Sequence, residues 1–135
     1  MTNASCRFGD RTRTALRTAV EDVLVVFPLG ATEQHGPHLP VATDSLLVEM
    51  IAEQAALKLE GSIPVLVAPT LAFGSSAHHL PFGATLSLPT TTYLTVLMEL
   101  GKSAFTCWFR RVFFLNGHGG NAELAELAAR DVAIE

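Results

Sequence analysis

The feature that most constrains the fold of this chain is an alternation of buried-strand patterns with helical patterns. Continuous apolar runs rich in β-branched and aromatic residues predict parallel strands that are covered on both faces. Such runs are found at residues 23–27, 65–67 and 111–115. Apolar residues at helical spacing predict helices at about 11–20, 44–60, 90–105 and from 121 onward. This order predicts a single α/β domain over residues 1–135, a three-layer sandwich around a mostly parallel sheet.

The composition is that of a well-buried globular domain and argues against nucleic-acid binding. Of 135 residues, 49% are hydrophobic and 16% are charged, so the domain either has a large core or buries further surface in an oligomer. The formal net charge is -4, and the chain contains no basic run. Three arginines, Arg11, Arg13 and Arg17, are interpreted as a solvated helix face rather than a nucleic-acid-binding arm.

The sequence contains neither a membrane-span pattern nor a secretory signal pattern. No apolar stretch reaches the roughly 18 residues that a transmembrane helix needs, and the first residues lack an apolar segment. Cys6 and Cys107, the two cysteines, are too far apart for a CxxC metal-binding motif and make no disulfide framework. We therefore expect a cytoplasmic protein with reduced thiols, in which Cys107 belongs to the core.

The chain ends within or just after the last predicted helix, and this ending predicts an incomplete domain. Three strands form a small sheet with at least one open, apolar edge. We therefore expect either a truncated gene product or a chain that partner chains complete. A homo-oligomer is the arrangement that we favour.

Two Gly-rich segments, EQHGPH at residues 33–38 and NGHGGN at residues 116–121, carry the functional signal. Each follows a predicted strand, and the carboxyl ends of parallel strands are where an open α/β sheet binds its ligand. Asp44 lies between them at the start of a helical pattern, as an N-cap or a first-turn residue. Two oxygen and two nitrogen ligands are offered by Glu33, His35, Asp44 and His118. This set predicts a site for a divalent metal that activates water.

The candidate ligand set favours a catalytic rather than a structural metal ion. Glu33 and His35 are two residues apart, so in extended backbone their side chains point to the same side. Carboxylates and imidazoles without a thiolate suit Zn first, with Mn or Fe as alternatives, and one or two ions per chain. The predicted reaction is metal-assisted hydrolysis, in which activated water attacks a carbonyl carbon. A role for Asp44 as a helix cap alone is the less favoured alternative.

The other polar residues of the loops have less defined roles. His38 either orients its loop or binds a second metal. His78 and His79 lie in the second large loop, where one of them, with His79 favoured, is a candidate acid–base or substrate-contacting residue. The candidate catalytic residues are therefore His79 and His118. Hydrogen bonds that hold the loops in place are the roles expected for Gln34, Asn116 and Asn121.

The segment PLGATEQHGPHLP at residues 28–40, Asp44 and the NGHGGN segment together resemble the creatininase (creatinine amidohydrolase) family. The resemblance runs from about residue 23 to the C-terminus. It implies a metal-dependent amidohydrolase that acts on linear or cyclic C–N bonds of small molecules, mostly not those of ordinary peptides. It also implies an α/β sandwich that is commonly assembled as a hexamer. The metal ligands that it implies are Glu33, His35, His118 and a bridging Asp44.

Three departures from the family pattern shape the functional prediction. Gly120 stands where creatininase itself has an acidic ligand, which argues against creatinine as the substrate. Gly83 and Ala84 replace the usual Pro-Gly pair. The family pattern also continues well beyond the length of this chain, with a late Glu-Thr-Ser motif.

Two other functional interpretations are kept beside the amidohydrolase. The first is a catalytically incomplete metal- or anion-binding fragment of such an enzyme, which the expected truncation favours. The second is a dinuclear phosphoesterase, which is the least favoured of the three. Phosphoesterases of that kind usually begin with an Asp-x-His pair, whereas this chain has Glu33 two residues before His35.

Overall fold

The computed structural model describes residues 5–134, which form a parallel sheet with helices on both faces. The strands are β1 (Leu24–Leu29), β2 (Val65–Val67) and β3 (Arg111–Asn116). The α-helices are α1 (Arg13–Arg17), α2 (Thr43–Lys58), α3 (Thr90–Thr106) and α4 (Ala122–Ile134). Short 3-10 helices are found at Phe8–Asp10, Ala77–Phe82 and Gly119–Asn121. None of the helices within residues 5–134 is long and apolar enough to span a bilayer.

The sheet has the strand order β2-β1-β3, and both strand pairs are parallel. Leu24 at the start of β1 pairs with Val65 on one side and with Arg111 on the other. β1 is therefore the central strand, and Val25 and Leu29 within it are almost completely buried. A continuous apolar run suits this position because both faces of a central parallel strand are covered.

Alternate residues of β1 face two different helical layers. On one face, Val25 packs near the end of α3, and Leu29 packs with Tyr93 of α3 in a cluster that also contains residues of α4. On the other face, Val26 packs against Ala52 of α2. The structure therefore confirms the predicted three-layer α/β sandwich around a parallel sheet.

Small residues allow α2 to lie close to the sheet. Its buried positions recur every three or four residues and are Ser45, Val48, Ala52 and Ala56. Its large exposed side chains form what we call the outer face of α2, which consists of Leu46, Leu47, Met50, Ile51 and Leu57. The helix is therefore apolar on both sides, so its pattern alone does not reveal which side faces the sheet.

β1 is longer than the predicted strand at residues 23–27, because it continues through Pro28 to Leu29. The carbonyl of Pro28 accepts a hydrogen bond from the N–H of Leu71, on the side of the sheet where β2 has already ended. Proline has no N–H, and in a strand the N–H of a residue points to the same side as its carbonyl. The donor that Pro28 lacks would therefore face away from β3, and no hydrogen bond to β3 is lost. Proline therefore does not end this strand.

Three details of the helical segments differ from the prediction. α1 begins only at Arg13, because the side chain of Thr12 caps it by accepting a hydrogen bond from the N–H of Ala15. Cys107 is exposed rather than part of the core, since α3 ends just before it and the chain turns at Trp108 with φ of 71°. The 3-10 helix at Ala77–Phe82 lies in a segment where only a loop is predicted.

Tyr93 of α3 is fully buried, and within residues 5–134 its hydroxyl has no hydrogen-bond partner. Burial raises the pKa of this phenol. Leaving a buried hydroxyl unpaired costs about 1–3 kcal/mol. We therefore expect Tyr93→Phe to raise the free energy of unfolding by about 1 kcal/mol, as measured by urea denaturation. Tyr93→Leu, which also removes the ring, is expected to destabilise the protein; destabilisation by Tyr93→Phe as well would reveal a partner for the hydroxyl.

Candidate metal centre

The three strands end at one edge of the sheet, and the loops that follow them meet there. β1 is followed by residues 30–42, β2 by residues 68–76 and β3 by residues 117–118. Because the carboxyl ends of parallel strands share an edge, residues far apart in the sequence come together. The four candidate ligands predicted from the sequence all lie at this edge and are Glu33, His35, Asp44 and His118.

Asp44 places its carboxylate between two imidazoles. Its Oδ1 lies 3.0 Å from Nε2 of His35, and its Oδ2 lies 3.0 Å from Nδ1 of His118. The residue belongs to the first turn of α2, whose N-cap is Ala42. Asp44 is therefore not the N-cap, and its two oxygens face two separate nitrogen ligands.

Glu33 provides a buried carboxylate with one unpaired oxygen. The side chain is 6% exposed, and its Oε1 lies 3.4 Å from Nδ1 of His118 and 3.5 Å from Nε2 of His79. Its Oε2 is buried and has no hydrogen-bond partner among residues 5–134. Burying an unpaired carboxylate oxygen is costly unless a cation compensates for it. The position of Glu33 thus fits a metal ion at this edge.

His118 is buried, and both of its ring nitrogens have partners. Nε2 lies 3.1 Å from the hydroxyl of Ser76 and 3.4 Å from the carbonyl oxygen of Ser75. A proton on Nε2 can be donated to these oxygens, which leaves the lone pair of Nδ1 directed towards Asp44 and Glu33. A metal-ligating histidine commonly donates its other ring N–H to an oxygen in this way.

His35 is held from both sides of its ring. Nδ1 lies 3.1 Å from the carbonyl oxygen of Glu33, and Nε2 faces Asp44. The pKa of His35 is raised, chiefly because of the hydrogen bond to the Glu33 carbonyl, with a further contribution from the negative charge of Asp44. With Nδ1 donating to the carbonyl, Nε2 is the nitrogen that remains for a metal ion.

His79 lies beside Glu33 and is oriented by Gln34. The amide oxygen of Gln34 accepts a hydrogen bond from the N–H of Gly36 at 3.0 Å, so its amide nitrogen faces Nδ1 of His79 at 2.9 Å. The amide nitrogen is a donor, so Nδ1 of His79 accepts and the ring proton lies on Nε2. This nitrogen is the one directed towards Glu33.

The two remaining histidines of the loops are exposed and differ in position. The ring of His78 lies parallel to that of His118, with the centroids 6.0 Å apart, and its neighbour His79 is 4.4 Å away by the same measure. His38 lies near Gly36 and belongs to neither of the candidate metal groups found within residues 5–134. The structure therefore does not bring His38 into the centre.

Asn121 connects the three loops and is completely buried. Its Oδ1 accepts a hydrogen bond from the N–H of Ser75 at 2.9 Å, and its Nδ2 donates to the carbonyl of Gly30 at 3.0 Å. Asn116 bonds both the N–H and the carbonyl of His118. The predicted loop-holding roles of Gln34, Asn116 and Asn121 are thus confirmed.

Ser75 and Ser76 contact His118, and sequence reasoning assigned no role to them. Both lie in the loop after β2, directly after Gly74. A Cβ on Gly74 would lie 2.7 Å from Oδ1 of Asn121 and 2.9 Å from the carbonyl oxygen of Gly30, so only glycine allows this approach. A glycine followed by two serines after a buried strand was the available signal.

The geometry of the centre fits one or two metal ions. Within residues 5–134, two groups of three residues each place one ligand atom per residue within 4.8 Å of the others. The groups are Glu33, His35 and Asp44, and Glu33, His78 and His118. All donors are carboxylate oxygens or imidazole nitrogens, a set that suits Zn, Mn or Fe.

Comparison with known proteins decides the family. Residues 10–135 match the family model for creatininase, creatinine amidohydrolase. The chain belongs to the creatininase family. Over 103 residues it is 44% identical to the mycofactocin precursor peptide peptidase of Mycobacterium tuberculosis, covering 72% of this chain and 41% of that protein. Over 127 residues it is 29% identical to the creatinine amidohydrolase of Pseudomonas putida, covering 86% of this chain and 46% of that protein.

Solved creatininases have the same fold as this creatininase-family chain. A manganese creatininase superposes with a TM-score of 0.84 at 26% identity, covering 96% of this chain and 53% of that one. A mutant creatininase of the Zn-Zn type superposes with a TM-score of 0.83 at 26% identity and the same coverage. The chain thus spans about half the length of the curated relatives and solved structures that it matches.

Proposed function

We propose that this chain is the metal-binding part of a hydrolase that cleaves a non-peptide or cyclic C–N amide bond with the help of a divalent metal. The observation that carries the proposal is the carboxylate of Asp44, whose two oxygens each lie 3.0 Å from a different imidazole. The neighbouring Oε2 of Glu33, buried and without a partner among residues 5–134, adds support. Relatives named as a creatinine amidohydrolase and a peptide peptidase agree with C–N bond hydrolysis.

The residues proposed to hold the metal are Glu33, His35, Asp44 and His118. Zn is the favoured ion, with Mn or Fe as alternatives, since solved relatives are named as Zn-Zn and Mn forms. When bound, such an ion lowers the pKa of water and polarises a carbonyl oxygen. The chain contributes the orientation of its ligands: His35 and His118 each hold one ring nitrogen in a hydrogen bond and keep the other for the ion.

His79 and His118 are the proposed catalytic residues. The Nε2 proton of His79 is held on the side of Glu33, 3.5 Å from its Oε1, because Gln34 occupies Nδ1. An imidazole placed in this way can transfer a proton to the leaving nitrogen of an amide. His118 is proposed both to bind the metal and to orient the carboxylate of Glu33, since its Nδ1 lies 3.4 Å from Oε1 of Glu33.

A peptide amide is the second candidate substrate. The observation that favours it is the 44% identity to a precursor peptide peptidase, which exceeds the 29% identity to a creatinine amidohydrolase. Gly120, which stands in place of the acidic ligand of creatininase itself, also argues against creatinine. A substrate screen therefore has to include short peptides as well as small amides and formamides.

The test uses the purified 135-residue chain, loaded separately with Zn, Mn and Fe(II). We expect hydrolysis of at least one amide class, detected as released amine, and a loss of roughly 100-fold or more in kcat in His79→Ala with unchanged metal content. His38→Ala, an exposed histidine outside the centre, is the matched control. A well-folded chain that binds no metal would refute the proposal, whereas a metal-loaded chain without turnover would favour the catalytically incomplete fragment.

Self-association into a homo-oligomer is part of the same proposal. The outer face of α2 exposes large apolar side chains, with Leu46 at 57% and Met50 at 54% exposure. Contiguous apolar surface of this kind commonly marks an interface. Light scattering on the same samples measures the mass in solution, and a strictly monomeric chain would contradict this part.

A further inference from the structure

The turn that ends α3 holds a tryptophan in a strained backbone conformation. The N–H of Phe109 donates to the carbonyl of Ala104 at 3.1 Å. The N–H of Trp108 donates to the carbonyl of Phe105 at 2.9 Å, and the two bonds together form a Schellman motif. Trp108 occupies the position of this motif where glycine is usual, because the backbone there is left-handed, with φ of 71°.

The strain at Trp108 is not offset by burial of its side chain. The indole is 60% exposed, whereas the next residue, Phe109, is 4% exposed and packs against Phe8 with ring centroids 5.7 Å apart. Phe109 therefore anchors the turn, and the core does not depend on the indole. A strained residue whose side chain adds little to the core indicates a function for that side chain.

Arg17 of α1 lies over the exposed indole. Its Cζ is 5.0 Å from the centre of the Trp108 ring, which is a cation–π contact. Stacking fixes the plane of the guanidinium and leaves the N–H groups at its edge for a ligand. Arg13, one turn earlier on the same face of α1, and Arg110, two residues after Trp108, are also exposed. We call Arg13, Arg17, Trp108 and Arg110 the arginine–tryptophan patch.

The arginine–tryptophan patch is positively charged and lies away from the metal centre. Among residues 5–134, none of its three arginines forms an ion pair, although Glu21 and Asp22 are exposed in the turn before β1. Trp108 and Arg110 precede β3, whereas the metal centre lies beyond the carboxyl end of this six-residue strand, about 17 Å further along. The patch is therefore separate from the proposed catalytic site.

We propose that the arginine–tryptophan patch docks an acidic polypeptide segment of a partner protein. Arginine forms two parallel hydrogen bonds with a carboxylate, and Trp and Arg are enriched among the residues that dominate the binding energy of protein interfaces. A nucleic acid is a poorer match, since proteins that bind it present much more positive surfaces than a chain of net charge -4 offers. The inference goes beyond the proposed hydrolysis and does not depend on a metal ion.

The experiment measures the binding of fluorescein-labelled oligoglutamate to the 135-residue chain by fluorescence anisotropy at low ionic strength. We expect the Kd to weaken roughly 10-fold or more in Arg17→Gln and in Arg110→Gln. Arg130→Gln is the matched control, because Arg130 is an exposed arginine on α4, beside Asp131. Trp108 is the single tryptophan of the chain, so a change in its emission on titration locates the peptide at the patch.

Trp108→Gly separates docking from a structural role of the indole. Glycine fits the left-handed backbone, so we expect this variant to be at least as stable to urea as the wild type. Its affinity for oligoglutamate is expected to fall roughly 10-fold. A loss of stability with unchanged peptide binding would make Trp108 a packing residue and would overturn the proposal.

A single-stranded oligodeoxynucleotide of the same charge is the competing probe. Tighter binding of oligoglutamate than of the oligonucleotide supports an acidic polypeptide, whereas the reverse order would overturn the proposal in favour of a nucleic acid. Absence of oligoglutamate binding to the wild type, or binding that Arg17→Gln and Arg110→Gln leave unchanged, would overturn it as well. Because the assay needs neither metal nor turnover, its result is independent of the test of the proposed hydrolase.

Discussion

Asp44→Asn is expected to abolish metal retention by this chain while it preserves the fold. The amide has the same shape as the carboxylate, but it is neutral and presents one oxygen instead of two. The native oxygens each lie 3.0 Å from a different imidazole, so the substitution removes the group that both His35 and His118 face. We expect the affinity for Zn to fall by more than the roughly 10- to 100-fold that loss of an outer hydrogen-bond partner costs.

Glu49→Gln is the matched control, because it makes the same chemical change on the same helix. The carboxylate of Glu49 is 40% exposed and lies near Arg7, away from the centre. Metal content after dialysis is measured by elemental analysis. Zinc at about 100 times its Kd should stabilise the wild type and Glu49→Gln by about 2.7 kcal/mol, and Asp44→Asn hardly at all. An Asp44→Asn protein with wild-type metal content would eliminate Asp44 as a ligand.

Gly30→Ala is expected to destabilise the fold by about 3 kcal/mol, although it adds a single methyl group. The added Cβ would lie 2.6 Å from Cα and 2.9 Å from Cβ of Ser45, and it would also clash with the hydroxyl oxygen. A flexible side chain could rotate away from such a contact, but the backbone of α2 cannot. The helix would have to move away from the end of β1, and Asp44 would move with it.

The close approach at Gly30 is held by several hydrogen bonds. The N–H of Gly30 donates to Leu71, its carbonyl accepts from Asn121, and the hydroxyl of Ser45 donates to the carbonyl of Ala31. These bonds oppose any shift that would relieve the overlap. The substitution should therefore weaken Zn binding as well as stability, since it displaces the first turn of α2.

Gly9→Ala is the control for the glycine substitution, because a Cβ at that position would have no atom within 4 Å. We expect a change of less than about 0.5 kcal/mol in its free energy of unfolding by urea denaturation. Equal stability of the Gly30→Ala and Gly9→Ala proteins would show that α2 does not approach the end of β1 as closely as the structure indicates.

The sequence by itself determined the order of the elements and the candidates for the centre. The hydrophobic periods of strands and helices are local properties of the sequence. This is why β2 lies at Val65–Val67 as predicted and α3 ends one residue later than predicted. The rule that ligands gather at the carboxyl ends of parallel strands is a property of topology. This rule therefore predicts, from the sequence alone, that Glu33 and His118 lie at the same edge of the sheet.

Only the tertiary structure reveals which of these residues contact one another. Asp44 and His118 are 74 positions apart, and Gln34 and His79 are 45 positions apart, so no local pattern reveals either contact. The same limit explains why the prediction that Cys107 belongs to the core is wrong, since the turn after α3 leaves this residue exposed.

The contrast between His78 and His79 shows the physical reason for this division. In the sequence they are adjacent residues of the same type in one loop, and nothing local distinguishes them. In the fold, a hydrogen bond from Gln34 orients one ring, and the missing side chain of Gly120 admits the other. Residue type and period are encoded along the chain, whereas the role of a side chain depends on neighbours that only the packed structure brings near.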